Sequence, residues 1–281
     1  MNQRPGITYR KPRGFSLQGI RIWGLLFLLC GAVGYSVFAR GLIPSYGDAA
    51  PLSMITVGMI LQVLTYCAIP IFAFLLVQGF LHTTSVKQYA IRLLILAVIA
   101  EVPFNFCMTG HPLGAFANSG FNYADFSLNP VFGTLLSLVV LFFFRQYPGK
   151  TTNNIFVKVL VWLMAFLWAG MFRIEYANIM LVLVPVLWLT RRKKAMMIFG
   201  GCVATFLTCI FGLGNMGFVG SCIAPLTFLL LHFWNEEQGE SNRYINYLAY
   251  PVILVGAAVA TLLAFKLEYP TGPVINAGPV L

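Results

Sequence analysis

Charged residues are scarce in this sequence. Only 9% of its 281 residues are Asp, Glu, Lys or Arg, whereas 59% are hydrophobic. A soluble globular domain carries about 25% charged residues. A chain this apolar cannot keep its surface hydrated, so we predict that most of that surface faces lipid. With about 20 apolar residues needed for each spanning helix, the length leaves no room for a separate soluble domain.

Acidic residues are especially few. The chain has 8 Asp and Glu against 18 Lys and Arg, which gives a formal net charge of +10. In a soluble protein such a balance suggests a nucleic-acid partner. Here the Lys and Arg residues lie beside the ends of apolar runs, so we interpret the charge as membrane orientation and predict no nucleic-acid binding.

Closely paired cysteines and familiar catalytic spacings are also lacking. None of the six cysteines forms a close pair with ligand spacing, so neither a disulfide framework nor a zinc site is indicated, and their apolar surroundings indicate small core residues. No Ser-His-Asp, metal-ligand or phosphate-loop spacing occurs. We therefore predict no metal and no tightly bound cofactor. The cysteines are Cys30, Cys67, Cys107, Cys202, Cys209 and Cys222.

Long apolar runs predict an all-α, polytopic integral membrane protein with about nine transmembrane helices. The first run has an apolar core longer than the roughly 7–15 residues of a signal peptide, which favours a permanent span. The stretch 52–80 exceeds one bilayer thickness, and we interpret its beginning as a partly re-entrant or tilted piece. The predicted crossings are 20–39, 64–82, 89–108, 128–145, 155–171, 176–189, 195–213, 217–234 and 244–265.

The domain organisation follows from these runs. Residues 1–19 form a basic arm, residues 20–266 a single transmembrane domain, and residues 267–281 a short tail. The one long polar connection is 109–127, which is rich in Gly and Asn.

Basic residues predict the orientation, because cytoplasmic loops of membrane proteins carry an excess of Lys and Arg. Nine crossings from a cytoplasmic amino terminus leave only Arg40, Arg173 and Lys266 outside. We therefore predict a multi-pass protein of the inner (cytoplasmic) membrane. The residues then placed inside are the amino-terminal arm with Lys87, Arg145, Lys150, Lys158, Arg191, Arg192, Lys193, Lys194 and Arg243.

Two ionisable residues lie inside one apolar run, where each needs a partner or a purpose. Arg92 and Glu101 are nine residues apart, about 13 Å along a helix and on nearly opposite faces. They therefore do not pair with each other. Arg92 lies near the inner boundary and can reach lipid phosphates, whereas Glu101 is expected to have a polar partner on another helix.

Glu175 has two interpretations. It follows Arg173 in a short outer turn, where a carboxylate stabilises the amino terminus of the next helix. A buried acid in such a turn is alternatively a functional group. The histidines, His82, His111 and His232, lie at predicted helix ends or in the outer loop, and we interpret them as interfacial residues.

A series of motifs runs through the chain. The segment 69–106 reads IPIFAFLLVQGFLHTTSVKQYAIRLLILAVIAEVPFNF, with an aromatic helix ending in Gly-Phe and a later helix closing on Glu-Val-Pro-Phe. Asn129-Pro-Val-Phe132 opens the next crossing, Tyr176 follows an outer turn, and Tyr250-Pro251 lies in the last helix. In order and spacing these motifs resemble the TraX family over almost the whole chain.

That resemblance implies a function. The family is named for a membrane protein that acetylates the amino terminus of a conjugative pilin subunit, and it is similar to membrane acyltransferases that use cytoplasmic acyl-CoA. It implies acetyl-CoA or another acyl-CoA as co-substrate and a surface protein or small molecule as acceptor. It also implies a polar site between helices, with Glu101 and Glu175 as candidate catalytic residues. The implied binding residues are Arg92, Asn105, Asn129, Tyr176 and Tyr250.

The sequence departs from the family pattern at positions that matter for catalysis. Gly31-Ala32 stands where an Asp-His pair is usual, Ile253 where a His is usual, and Gln78 where many members have Glu. Acyl transfer needs a base, and His is the usual one because its pKa lies near 7. Either Glu101 or Glu175 has taken over this role, or the chemistry has been lost while the fold is retained.

Three functions are therefore weighed. The first is an acyltransferase-related protein with a polar cavity open to the cytoplasm and Arg92 near a phosphate-bearing donor. The second is a non-catalytic membrane subunit for assembly or partner binding, with the 109–127 loop as its outer contact surface. The third is a transporter, which the lack of internal symmetry disfavours. An enzyme is expected to keep an open donor path, whereas a scaffold is expected to fill the space between its helices.

Overall fold

The computed structural model describes residues 14–109, 127–211, 217–239 and 243–265. Over these residues the chain is helical, and the only strand-like pairings within them are two isolated bridges, Phe15 with Trp234 and Leu128 with Ile174. A 3₁₀ turn, Ala224–Leu226, joins the short helices Gly217–Ile223 and Thr227–His232. The helices are α1 Leu17–Tyr46, α2 Leu52–His82, α3 Val86–Thr109, α4 Pro130–Gln146, α5 Thr152–Met171, α6 Ala177–Thr190, α7 Lys194–Phe211, α8 Gly217–Ile223, α9 Thr227–His232 and α10 Arg243–Phe265.

Four of these helices, α1, α2, α3 and α5, are long and apolar enough to cross a membrane by length and composition. Shorter apolar helices are Pro130–Gln146, Ala177–Thr190, Lys194–Thr208 and Tyr247–Leu263. The predicted all-α membrane fold is confirmed, and each predicted crossing has a helical counterpart.

Of the two interpretations of the beginning of the stretch 52–80, the re-entrant one is wrong. The expected re-entrant piece at 52–63 is the first half of α2, a single helix of 31 residues that continues through Pro70. No turn-forming sequence interrupts this half, so the helix simply extends beyond one bilayer thickness, as a tilted span does.

The first helix begins slightly earlier than the predicted start of the transmembrane domain. The first helix begins at Leu17 instead of residue 20, because the hydroxyl of Ser16 accepts a hydrogen bond from the Gly19 backbone nitrogen at 3.2 Å and caps the helix. The rest of the basic arm, most of the 109–127 loop with His111, and the 267–281 tail lie outside the described residues.

Helix α2 is the centre of the fold, and α1 packs along it. The two helices approach closely where α1 presents Gly24, Gly31 and Gly34. A side chain at Gly31 would lie 1.8 Å from the hydroxyl of Thr65 on α2, and one at Gly34 would lie 2.9 Å from the backbone of Gln62. Small residues allow such contact between membrane helices. In contrast, α5 is peripheral, because only 11% of its apolar stretch of 18 residues is buried inside the protein.

The carboxyl-terminal half of α1 departs from α-helical geometry. Residues Gly34–Leu42 form a π-helix, and this segment carries Tyr35 and Ser36. The buried Ser36 hydroxyl lies 2.6 Å from the hydroxyl of Thr261 on α10, which ties the two helices together. Such π-segments are rare and often lie at functional sites.

Candidate functional site

A cavity of about 580 Å³ lies between α1, α2, α3, α4 and α10. It begins at the turn between α2 and α3, with Thr83 and Ser85, and reaches inward to Thr65 and Tyr176. The α2 residues Thr65 to His82 and the adjoining Thr83 cover about 27 Å of helix rise. The cavity therefore extends from the predicted cytoplasmic face through most of the membrane-spanning region.

Helical spacing explains which side chains line the cavity. Helix α1 presents Leu17, Arg21, Leu25 and Leu28, which follow one another at intervals of four, four and three residues. Positions with this spacing share one face of a helix. The cavity is thus lined along one continuous face of α1.

The mouth of the cavity is bordered by the start of α1 and the segment before α10. The Phe15 nitrogen donates to the Phe233 carbonyl at 2.8 Å, and the Leu17 nitrogen donates to the Glu237 carbonyl at 2.8 Å. Gln238, next in this segment, lines the cavity. These backbone hydrogen bonds fix the end of α1 that carries Arg21.

Two arginines lie in the cavity wall near this mouth. Arg21 donates to the side-chain oxygen of Gln18 at 2.9 Å, and Tyr89 and Tyr247 lie close enough to interact with it electrostatically. Arg92 on α3 is the second arginine. A guanidinium presents several donors in a planar fork that matches phosphate geometry, so this end of the cavity suits a phosphate-bearing ligand.

The deep end of the cavity is lined by hydroxyl groups. The hydroxyl of Tyr176 lies 3.3 Å from that of Tyr35, and its ring packs edge-on against Tyr66 with centroids 5.5 Å apart. Tyr176 has a φ of 56°, in the left-handed region. A residue other than glycine held there costs about 1–3 kcal/mol, and such strain clusters at functional sites. Tyr250 on α10 lines the same region.

The turn before α6 holds Tyr176 in place. The Glu175 nitrogen donates to the Leu128 carbonyl at 3.0 Å, and the Leu128 nitrogen donates to the Arg173 carbonyl at 3.4 Å. Burial raises the pKa of the Glu175 carboxyl above its ordinary value, while the nearby positive charge of Arg173 lowers it. Glu175 is thus adjacent in the chain to Tyr176, which lines the deep end of the cavity.

A sequence model of the TraX protein family matches residues 22–260. The chain belongs to the TraX family. The match covers the helices that surround the cavity and begins one residue after Arg21. Comparison with curated proteins gave no match. Comparison with solved structures gave none either.

Three of the positions where this TraX-family chain departs from the expected pattern meet in space. Gly31, Ala32 and Ile253 line one small cavity of about 40 Å³, although Ile253 is more than 200 residues from the other two in sequence. The fourth such position, Gln78, lines only the main cavity. Tyr176 and Tyr250 line both this small cavity and the main one. The positions at which the resemblance predicts an Asp-His pair and a His therefore converge at the deep end of the cavity, where this chain has glycine, alanine and isoleucine.

Glu101 has the partner on another helix that the sequence predicts. One of its carboxylate oxygens accepts hydrogen bonds from the backbone nitrogen of Asn129 at 3.2 Å and from its side-chain amide at 2.7 Å. The other accepts from Asn105 at 3.2 Å. Asn129 is fully buried and caps α4, because its side-chain oxygen accepts from the Val131 nitrogen at 3.0 Å. Glu101 thus fastens α3 to the start of α4.

The predicted site residues therefore fall into two groups. Arg92, Tyr176 and Tyr250 line the cavity of the TraX-family chain. Glu101 and its two Asn partners form a separate cluster, outside the lining of either cavity. Glu175 lies between the groups, in the turn beside Tyr176.

Sequence reasoning missed several lining residues. Arg21, Tyr89, Tyr247 and Thr134 line the cavity. The sequence does contain a signal for Arg21. It is a charged residue at the start of an apolar run, and it shares a helix face with Leu17 and Leu25. His82, predicted to be interfacial, lines the mouth.

Proposed function

We propose that this TraX-family chain binds an acyl donor of the acyl-CoA class in its membrane-embedded cavity. The observation that carries the proposal is the cavity itself, which has Arg21 and Arg92 near its mouth and the hydroxyls of Tyr176 and Tyr250 at its deep end. A donor with phosphates at the arginines directs its acyl end towards the tyrosines. The mouth lies on the predicted cytoplasmic side, where acyl-CoA is found.

Acyl transfer from such a donor has a defined chemistry. The acceptor amine or hydroxyl attacks the thioester carbonyl carbon, the carbon–sulfur bond breaks, and the thiolate leaves and takes up a proton. The acceptor must lose a proton, and a positioned base typically contributes about 10²–10⁴ in rate. Ala32 and Ile253 cannot act as bases. We propose that the chain keeps donor binding and transfers the acyl group more slowly, by about this factor, than it would with histidines at those positions.

Glu175 and Tyr176 are the groups available for the residual proton transfer. Tyr176 lies at the deep end with its hydroxyl 3.3 Å from that of Tyr35, and the Glu175 carboxyl is its neighbour in the chain. Glu101 is not proposed as the base, because its oxygens accept hydrogen bonds from Asn129 and Asn105. The acceptor is proposed to be a surface protein, as in pilin acetylation, or a small molecule.

A non-catalytic membrane subunit is the second candidate. The observation that favours it is the apolar character of Ala32 and Ile253 in the small cavity. A scaffold without a ligand is expected to fill its interior with side chains. This candidate therefore does not explain the cavity of about 580 Å³.

Equilibrium binding to the detergent-purified protein tests the proposal. Acetyl-CoA is expected to bind saturably, and Arg92→Ala is expected to weaken binding at least tenfold. Lys87→Ala is the matched control, because Lys87 is an exposed cation on the same helix that does not line the cavity. Well-folded wild-type protein that binds neither acetyl-CoA nor a longer acyl-CoA would contradict the proposal.

A further inference from the structure

The small cavity adjoins the main cavity. The two share Leu28, Thr65, Pro130, Tyr176 and Tyr250 in their walls, so they adjoin at the deep end. On its far side the small cavity meets a buried apolar cluster of α1, α3 and α10. This cluster contains Ala32, Ala100, Phe104, Phe106, Cys107, Leu254, Ala257 and Ala258.

Thr65 lies at the junction between the cavities. It is 8% exposed and lines both of them. Its hydroxyl oxygen is buried against Gly31, since a side chain at that glycine would lie 1.8 Å from it. The surface that Thr65 offers to the cavities is therefore that of its other side-chain atoms.

The small cavity beyond Thr65 suits hydrocarbon. Among the described residues, its wall contains no Asp, Glu, Lys, Arg or His, and Ala32, Ile253 and Leu254 contribute apolar surface. The Cys107 thiol donates a hydrogen bond to the Leu254 carbonyl at 3.3 Å, so it is already paired within the protein. A volume of about 40 Å³ holds roughly two or three non-hydrogen atoms.

We infer that the terminal carbons of a bound short-chain acyl group fill the small cavity. Ala32 and Ile253 then set the longest chain that fits. This inference rests on the proposed donor-binding function.

A chain-length series tests the inference. The affinities of acetyl-, propionyl-, butyryl-, hexanoyl- and octanoyl-CoA, and of free CoA, are measured with the full-length protein. Each methylene that enters the small cavity is expected to raise affinity by about fourfold. Affinity is therefore expected to increase from acetyl- to butyryl-CoA and to fall at least tenfold by octanoyl-CoA.

Variants of the wall separate the contributions. Ile253→Ala is expected to move the optimum to a longer chain, and Ala32→Leu is expected to abolish the gain beyond acetyl-CoA. The position of the chain-length optimum is a readout that a general loss of folding would not change in this direction.

The outcomes distinguish this inference from the function on which it rests. Wild-type protein that binds all chain lengths equally, or an unchanged series in Ile253→Ala, would overturn the inference and leave donor binding intact. Failure of folded protein to bind CoA and every acyl-CoA would overturn the proposed function, and the inference with it.

Discussion

Glu101 on α3 accepts two hydrogen bonds from Asn129, one from its backbone nitrogen at 3.2 Å and one from its side-chain amide at 2.7 Å. The same amide also donates to the Ala97 carbonyl at 2.7 Å. A carboxyl group is thereby placed at the amino terminus of α4, where the helix dipole favours negative charge. Pro130 and Val131, in the first turn of that helix, line the cavity.

Glu101→Ala is therefore expected to act mainly on stability. Loss of the carboxyl leaves donors of the fully buried Asn129 without a partner, and each such group costs about 1–3 kcal/mol. We expect the free energy of unfolding to fall by about 2–4 kcal/mol, measured by denaturation in detergent. Asn105→Ala removes only one hydrogen bond to the same carboxyl and is expected to cost about 0.5–1.5 kcal/mol. A Glu101→Ala protein as stable as wild type but unable to process a bound donor would show that Glu101 has a chemical role instead.

Gly31→Ala is expected to disturb the packing of α1 on α2. The added methyl group would lie 1.8 Å from the Thr65 hydroxyl oxygen and 2.9 Å from its Cβ. Overpacking of this kind costs about 1–3 kcal/mol.

Thr65→Ala removes the closest of these atoms, so the Gly31→Ala substitution is expected to cost less in that background. The test is a double-mutant cycle on unfolding free energies, in which residues in contact show non-additivity. Strictly additive losses would mean that the two residues are not in the contact described.

Histidines at the two departing positions are expected to increase turnover. Ala32 and Ile253 line one small cavity beside Tyr176, so histidines introduced there meet at the deep end of the donor site. We expect the Ala32→His, Ile253→His double variant to release thiol from acetyl-CoA at least tenfold faster than wild type. The matched control replaces both residues by Gln, which is polar but not basic. Equal rates for the His and Gln double variants, with donor binding retained, would contradict the proposed place of the chemistry.

The orientation of the cavity mouth is tested by thiol labelling from one side of the membrane. Lys150→Cys and Tyr46→Cys place single cysteines at exposed positions near opposite ends of the helices, in a background without the native cysteines. With the mouth facing the cytoplasm, an impermeant reagent is expected to label position 46 in intact cells and position 150 only after the membrane is opened. The reverse pattern would place the mouth outside.

Local features of the sequence predicted the helices well, because the length and continuity of an apolar run are properties of neighbouring residues. The re-entrant interpretation of 52–63 failed, and the tilted alternative was left open beside it, because length alone does not distinguish one long tilted helix from a re-entrant piece followed by a span. The partner of Glu101 was expected on another helix but was not identified, since Asn129 is 28 residues away.

The cavity itself could not be predicted, because empty space depends on how several helices are rotated against one another. The family pattern marked Ala32 and Ile253 as departures, yet their meeting across α1 and α10 required the packed fold. Arg21 lies just before the residues matched by the family model, and only the structure places it in the cavity wall with Arg92.

Site-mapped photo-crosslinking tests donor binding in the cavity most directly. An acyl-CoA with a photoreactive group at the end of a short acyl chain is crosslinked to the purified full-length protein, with and without excess acetyl-CoA, and the modified residues are identified by mass spectrometry. We expect crosslinks to the walls of the small cavity, on α1 near Ala32 and on α10 near Ile253, and we expect excess acetyl-CoA to suppress them. Crosslinks confined to peripheral residues such as those of α5, or unaffected by excess acetyl-CoA, would contradict donor binding in the cavity.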